Sequence, residues 1–393
     1  MATTVNDRSL SGNDIAVYVS EQSVKGTIDT SPVFDKVRRT EGKAVEQIDY
    51  TQSGEVKSNR QGRQQIQDTR TFSSELSFEV TQQTAKFIDS AIHGTQVDNS
   101  LTTSTVGTDS LGFVSSAGDF TNLSVGDWFK VEGFVDAQND GWYKVKSKTD
   151  NDNIETYSAP NSVEASGAVV SIESRKTTSG ADQTYYAIQN RVADNSAVGN
   201  VDYQTFYDAI INTLSFEVGE SGVLTGSMSM NIENLLSGTE KLTGQTDNSD
   251  DLSDAVSAIN NTGKIYVDGI NTSCSVKSMG IEINNNYSGD RAAGCQGEQY
   301  AYGDMDVSGS VVSRAVISNT FDWRNRFQNS QPFSLAVRFF WDDGRWMIVD
   351  IMRAKLTEHS MPDGSNVISQ NDMSYGAEED PTTGKTVQFF RNF

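Results

Sequence analysis

Cysteine and histidine are nearly missing from this 393-residue chain, which holds two of each. Cys274 and Cys295 are too few for a disulfide framework and have no zinc-site spacing around them, so we expect two ordinary reduced thiols. His93 and His359 leave little of the residue that most often serves as a general base or a metal ligand. Enzyme and metalloprotein functions are therefore disfavoured.

Basic residues and long apolar runs are also scarce. The chain has 31 Lys and Arg against 53 Asp and Glu, a formal charge of -22, whereas non-specific nucleic-acid binding needs the opposite sign. No apolar run approaches the ~20 residues of a membrane-spanning helix. The N-terminal segment lacks the charged start and apolar stretch of a secretory signal. We expect no membrane partner and no export by that route.

Alternation of apolar and polar residues dominates what is present. It recurs in residues 15–20, 71–80 and 211–220, in runs bounded by Gly, Asn, Asp and Ser, a pattern typical of half-buried antiparallel strands. With 32 Gly and 5 Pro, turns should depend on Gly, Asn and Asp. The predicted fold class is all-β with a few short helices.

Two helices are predicted directly after alternating strands. Residues 81–94 place apolar side chains on one helical face and end at Gly94, expected to be a left-handed cap. Residues 316–330 follow the same pattern after Asn319 or Thr320 as the N-cap.

The order of strand, helix and strand set occurs twice, which indicates a duplication. The first copy is predicted to span 1–98 and 176–245, and the second 262–393. Residues 246–261 are expected to form a linker with a short helix at 249–260, because apolar residues recur there at helical spacing.

Residues 99–175 interrupt the first copy with aromatic-rich sequence. VGDWFKVEGF and NDGWYKV read as strands of a small β-barrel-like domain, which should hang from a surface loop of the first copy. Trp128, Trp142 and Tyr143 either form its core or stack on a sugar. The run DAQNDG at 136–141 resembles a calcium loop, but Gln138 and Ser147 occupy ligand positions, so a turn is expected.

No pattern of catalytic residues stands out. The 53 acidic residues offer carboxylate pairs everywhere, so no pair identifies a glycosidase site, and no nucleophile-base arrangement is present. We predict no catalytic residue, no metal ligand and no cofactor.

An ordered series of segments resembles the major tail tube proteins of long-tailed bacteriophages. The segments are TFSSELSFEV with its helix, NTLSFEVGESGVLTGSMSMNIE, KIYVDG, CSVKSMGIEINNNYSG and VSGSVVSR, and the insert resembles a small β domain of the same group. The resemblance implies tandem β-sandwich domains whose sheets join between subunits into a closed barrel. Rings of such barrels would stack into a hollow tube in the virion tail, and viral DNA would pass through without specific binding.

The resemblance also implies partners. A chain with two tube domains implies trimeric rings of pseudo-sixfold symmetry, and a hexamer of one enlarged domain is the alternative. Further implied partners are the tail terminator, tail-tip or baseplate proteins and the tape measure protein, with assembly in the host cytoplasm.

Four carboxylates are candidates for the lumen of such a tube. Glu75, Glu79, Glu217 and Glu282 alternate with apolar residues on predicted strands. Negative charge along a lumen would repel DNA phosphates. The alternative is that these are ordinary solvated carboxylates on an outer face.

Residues 35–70 carry a net positive charge in a chain of net negative charge, with eight basic and six acidic residues. The segment is long and polar, which fits an extended arm, and the resemblance implies that such an arm touches the next ring; a surface loop is the alternative. The candidate arm residues are Arg38, Arg39, Lys57, Arg60 and Arg63.

Two functions from other classes remain open at this point. One is a carbohydrate-binding or adhesion protein that uses Trp128 and Trp142 as its platform, and the other is a β-rich hydrolase.

Overall fold

The fold is an all-β arrangement with two short helices among the described residues. A computed structural model describes residues 15–53, 65–193, 201–219, 221–238, 240–249, 253–257, 262–272, 275–291, 298–314, 322–361 and 370–393. Most strands join one large sheet, seven belong to a sheet of the insert, and two form a small separate pair.

The elements in chain order have the following bounds. The first strands are β1 (Ile15–Gln22), β2 (Val33–Lys36), β3 (Arg39–Gln52), β4 (Gln65–Glu79) and β5 (Gln96–Asp98), with helix α1 (Ala85–Ala91) between the last two. The insert holds β6 (Leu101–Thr103), β7 (Val106–Thr108), β8 (Gly112–Ser115), β9 (Trp128–Glu132), β10 (Gly141–Lys148), β11 (Asn153–Thr156) and β12 (Val170–Glu173). The first half resumes with β13 (Arg175–Thr178), β14 (Tyr185–Ala193), β15 (Val201–Val218), β16 (Thr225–Gly238) and β17 (Thr246–Asp247).

The second half completes the chain. Its strands are β18 (Thr262–Val267), β19 (Ile270–Asn271), β20 (Val276–Asn284), β21 (Ser288–Asp290), β22 (Gln299–Ala301), β23 (Asp306–Arg314), β24 (Phe333–Phe340), β25 (Trp346–Ser360), β26 (Gln370–Ala377) and β27 (Val387–Arg391). Helix α2 (Trp323–Gln328) lies between β23 and β24.

Both predicted helices that follow strands are present. Helix α1 is shorter than predicted, and α2 ends at Gln328 instead of residue 330. In α1 the left-handed residue beyond the C-terminus is His93, with φ of 50°, and not Gly94 as predicted. Gly94 is required for space, because a Cβ there would lie 2.3 Å from the carbonyl oxygen of Thr178. In α2 the N-cap is Asp322, whose carboxylate accepts a hydrogen bond from the Asn325 amide, whereas Asn319 and Thr320 lie outside the described residues.

The predicted linker helix is wrong for the part of 246–261 that is described. Residues 246–247 form β17, which runs parallel to β2, and residues 253–257 contain no helix. The amide of Val256 donates to the Val80 carbonyl, and the Val256 carbonyl accepts from the amide of Leu224. The backbone at Val256 is therefore held by hydrogen bonds to two other segments of the first half. Val256 is buried as a single apolar residue and not as part of the apolar face of a helix.

The two halves have the same strand order. Successive antiparallel pairs run β1-β14-β15-β16-β4-β3 in the first half and β18-β24-β25-β26-β23-β20 in the second. The helices also correspond, because α1 packs against β15 and α2 packs against β25.

Shifts of pairing register fall at matching places in the two halves. The matching shifts are Tyr186–Ile188 with Phe333–Leu335, Ile211–Thr213 with Leu356–Glu358, and Arg39–Glu41 with Val276–Ser278. At each shift one strand has an extra residue, which changes the side chains that face the core. Because the shifts match, they define which residue of the first half corresponds to which residue of the second. By this alignment Thr213 corresponds to Glu358, and Ala44 corresponds to Ile281.

A seam joins the halves. Residues 213–218 of β15 pair antiparallel with residues 279–284 of β20. One apolar core continues beneath both halves.

The insert folds around its own core and also docks on the second half. Its strand order is β6-β12-β9-β10-β11-β8-β7, and the two end strands are joined by Ser104 and Thr105, so the sheet is rolled. The flanking strands β5 and β13 pair with each other, and β13 pairs with β27 of the second half. The insert therefore does not simply hang from the first copy as predicted.

Candidate functional site

A single polar, concave face runs across both halves. Eight strands form it in the order β3-β4-β16-β15-β20-β23-β26-β25. Its concavity has a volume of about 1000 Å³ and is open to solvent. The alternation seen in the sequence produces this face, because Leu214 and Phe216 are buried below it while Glu217 is exposed.

Short side chains cover most of the concave face. The lining includes Ser77, Ser215, Ser227, Ser308, Ser310 and Ser374. Several hydroxyls bond to each other across strands, with 2.8 Å between the Oγ atoms of Ser215 and Ser227. The surface is therefore smooth, polar and largely free of bulky groups.

The structure brings all four predicted carboxylates to this face. Glu217 and Glu282 line the concavity, and Glu75 is exposed on β4 at the same side as Ser77. Glu79 differs, because it forms an ion pair of 2.7 Å with Arg38. Three of the four are thus exposed acids, and the fourth is neutralised within the chain.

Two further acids line the face and were missed from the sequence. Asp306 alternates with Val307 at the start of β23, so the strand pattern contained a signal for it. Glu41 follows the register shift between Arg39 and Glu41, which changes the side of the strand that each residue faces. Simple alternation could not assign Glu41 to this face.

The basic segment is part of a long hairpin instead of a single extended arm. In the described part of the chain, residues 47–52 and 65–71 pair only with each other and project beyond the edge of β16; we call this part the first arm. The strands β21 and β22 pair with each other beyond β20 and β23 and form a second arm. The two arms touch, since Arg291 donates to the carbonyl of Arg70 at 3.0 Å.

The candidate arm residues divide into two groups. Arg38 and Arg39 lie at the base of the first arm, where Arg38 also donates to the Ser253 carbonyl at 2.7 Å and Arg39 donates to the Gly42 carbonyl at 2.9 Å. These guanidinium groups are bound within the chain, which corrects their placement on a free arm. Lys57, Arg60 and Arg63 lie outside the described residues.

The aromatic residues of the insert are packed and do not form an open platform. Trp128 is 1% exposed and lies in a cluster with Tyr266 and Trp346 of the second half. Arg338 stacks on Trp142 at 3.8 Å, and Tyr143 belongs to the insert core. Of the two interpretations, the structure agrees with packing for these three side chains and not with the sugar platform.

A buried ion pair lies at the centre of this interface. The Lys144 ammonium is 2.8 Å from the Asp350 carboxylate, which also accepts a hydrogen bond of 2.9 Å from the Trp128 indole. Burial raises the pKa of Asp350, and the charge of Lys144 opposes that shift. The contact fixes the insert on the outer side of β25, opposite the side that faces the main core.

Clusters of metal-ligating side chains and helices that could span a membrane are both absent from the described ranges. They contain no group of three or more His, Cys, Asp or Glu able to hold a metal ion. None of their helices has the length and apolar character needed to cross a membrane.

Comparison with known proteins identifies the family. A family model described as phage tail tube protein matches residues 12–372, nearly the whole chain. The chain belongs to the phage tail tube protein family. A search of curated proteins gave no match.

Membership in the family confirms several expectations from the sequence. This tail tube protein is a structural component of the bacteriophage tail, and its all-β fold agrees with the tube-type β-sandwich predicted for it. The family is a class of structural proteins and not of enzymes. Nothing in the comparisons favours the carbohydrate-binding alternative.

Proposed function

We propose that three chains of this tail tube protein close into one ring of pseudo-sixfold symmetry, and that stacked rings conduct viral DNA during ejection. The repeated strand order carries this proposal, because each chain supplies two wall segments that are already joined by the β15–β20 seam. A closed barrel of such segments leaves no exposed sheet edge.

The mass of an isolated ring tests the proposal. Purified protein should form tubes of uniform bore in negative-stain electron micrographs. Rings released from those tubes should have three times the 42.9 kDa mass of the chain in native mass spectrometry. Rings of six chains would contradict the trimer, and a protein that forms neither rings nor tubes would contradict the function.

We propose that the concave face lines the lumen. Its exposed acids Glu75, Glu217 and Glu282 would repel DNA phosphates, and its short hydroxyl side chains offer few groups that hold DNA. The insert docks on Tyr266 of β18, Ala336 of β24 and Trp346 at the start of β25, and none of these residues lines the concave face, which supports a location of the insert on the outer surface of the tube.

Charge reversal on the concave face should make the tube retain DNA. We expect the variant Glu75→Lys/Glu217→Lys/Glu282→Lys to bind short DNA duplexes at low salt, with release as salt increases, because cationic side chains exchange with DNA counterions. Co-sedimentation of labelled DNA with preformed tubes measures this. Glu155→Lys/Glu240→Lys/Asp342→Lys is the control, since Glu240 and Asp342 are exposed, the Glu155 side chain is 40% exposed, and none of the three lines the concavity. Equal DNA retention by both variants would contradict the lumen assignment.

We propose that the tip of the first arm touches the next ring. The net positive charge of 35–70 in a chain of net charge -22 supports attraction to acidic surface on that ring. The tail terminator and the tail-tip or baseplate proteins would bind at the two ends of the tube, and the tape measure protein would lie inside it.

Arg60→Glu/Arg63→Glu should allow rings but slow their stacking. Each exposed ion pair between an arm and the acidic surface of the next ring would contribute only ~0–1 kcal/mol, but such pairs would repeat around every ring. Tube yield by sedimentation should fall for this variant, and wild-type yield should fall between 0.1 and 1 M salt as the screening length shortens from ~10 Å to ~3 Å. Lys146→Glu/Arg345→Glu is the control on exposed cations elsewhere. Unchanged yields at both salts for all three proteins would remove the electrostatic explanation.

A further inference from the structure

We infer that neighbouring chains join through one particular antiparallel pairing, in which the end of β25 in one chain lies beside β3 of the next, with Glu358 opposite Gln47 and Ser360 opposite Val45. The partner is a second copy of this chain, and the inference rests on the proposed assembly into rings. It adds the two strands and their register.

The seam inside the chain supplies the template. There, the end of β15 pairs with β20, with Thr213 opposite Asn284 and Ser215 opposite Glu282. The matching register shifts make β25 the counterpart of β15, and β3 the counterpart of β20. Transferring the seam to these counterparts gives the register stated above. The halves then alternate around the ring through equivalent contacts.

The required edge of β25 has no strand partner among the described residues. Its pairing with β24 stops at Ala354, just as the pairing of β15 with β14 stops at Ala209. Beyond Ala354, the described residues supply β26 as a partner on one side and no strand on the other. Met361 at the end of this edge is 51% exposed.

The required edge of β3 also lacks a strand among the described residues, but a side chain occupies it. The Ala44 amide donates to Oδ1 of Asn190 at 3.3 Å, and the Asn190 side-chain amide donates to the Ala44 carbonyl at 2.7 Å. Both backbone groups of Ala44 therefore point away from β4. The corresponding Ile281 lies opposite Phe216 in the internal seam. Asn190 thus occupies the place of a missing strand, and the adjacent Val45 is 42% exposed.

In an antiparallel pairing, hydrogen-bonded and non-hydrogen-bonded residue pairs alternate. This alternation identifies the positions at which two introduced cysteines would form a disulfide only in the proposed register. Because Ala44 directs its backbone groups toward the expected neighbour, Val45 and Gln47 belong to non-hydrogen-bonded pairs, whose side chains approach most closely. Directly opposite positions have Cβ atoms ~4.5–5.5 Å apart, near the range of a disulfide, whereas diagonal positions are ~7–8 Å apart.

Cross-linking of assembled tubes tests the register. In a parent with Cys274→Ser/Cys295→Ser, the two direct pairs are Val45→Cys/Ser360→Cys and Gln47→Cys/Glu358→Cys, and the diagonal control is Gln47→Cys/Ser360→Cys. After mild oxidation, we expect most chains of the direct variants to migrate as covalent species that end at three chains under non-reducing denaturing conditions. The diagonal variant should give less than about a tenth of that yield, because its cysteines are too far apart.

Each result separates the register from the function. Failure of both direct pairs to give the covalent trimer, or an equal yield from the diagonal pair, overturns the register. If the parent still forms tubes in that case, the proposed function stands. If the parent with serine at both cysteine positions and the wild-type protein both fail to form tubes, the proposed function fails.

Discussion

Replacing Lys144 by methionine should lower the free energy of unfolding by about 3–5 kcal/mol, because the change leaves the Asp350 carboxylate buried without a counter-ion. Lys144 is 3% exposed and Asp350 is 0% exposed at the side chain. The Trp128 indole would still donate a hydrogen bond to Asp350 but would not neutralise its charge. Denaturant unfolding of the unassembled chain, followed by tryptophan fluorescence, measures the loss.

A matched control lies on the same strand. Lys146 is 3.9 Å from Glu155, and these side chains are 56% and 40% exposed. Lys146→Met should therefore change stability by only ~0–1 kcal/mol. Lys144→Met/Asp350→Leu should recover most of the loss, since replacing both members of a buried pair by apolar groups removes the unpaired charge. Equal effects of the two single variants would show that the insert is not held through this ion pair.

This interface could not be predicted from the sequence. The sequence GWYKV predicts that this segment is a strand. Tyr143 packs in the insert core, which agrees with the core interpretation of the aromatic residues and not with sugar stacking. Nothing near Lys144 indicates that its partner is Asp350, which is more than two hundred positions away. The tertiary contact turns an apparent surface lysine into a buried one.

Most residues of the concave face could be predicted from the sequence, because a strand with one buried face has apolar and polar residues at alternate positions. Glu217 and Glu282 are exposed where alternation requires it. The same rule fails at Glu41, where a register shift intervenes. Helical spacing is a different rule, and it fails for the predicted linker helix, because Val256 matches that spacing but is held by backbone bonds to Val80 and Leu224.

Replacing Asn190 by valine should lower the concentration needed for tube assembly by about tenfold. In the isolated chain the Asn190 side chain makes two hydrogen bonds to Ala44, each worth ~0.5–1.5 kcal/mol net, and an incoming strand must displace them. Valine stands at the corresponding position of the second half, Val337, so it suits this environment. The variant removes the side-chain amide that competes with β25 of the neighbouring chain, so the backbone groups of Ala44 can pair with that strand.

The critical concentration can be read from the soluble fraction left after tubes are sedimented, over a series of protein concentrations. Asn285→Val is the matched control, because Asn285 is also buried and donates to the Ala91 and Ile211 carbonyls, but within the chain. Both variants should lose thermal stability as isolated chains, since each leaves backbone groups without a side-chain partner. Only Asn190→Val should assemble at lower concentration, since only Asn190 occupies an edge that the ring must use. A critical concentration that rises equally in both variants would mean that Asn190 merely stabilises the folded chain, and the edge of β3 would then not be the site of strand addition.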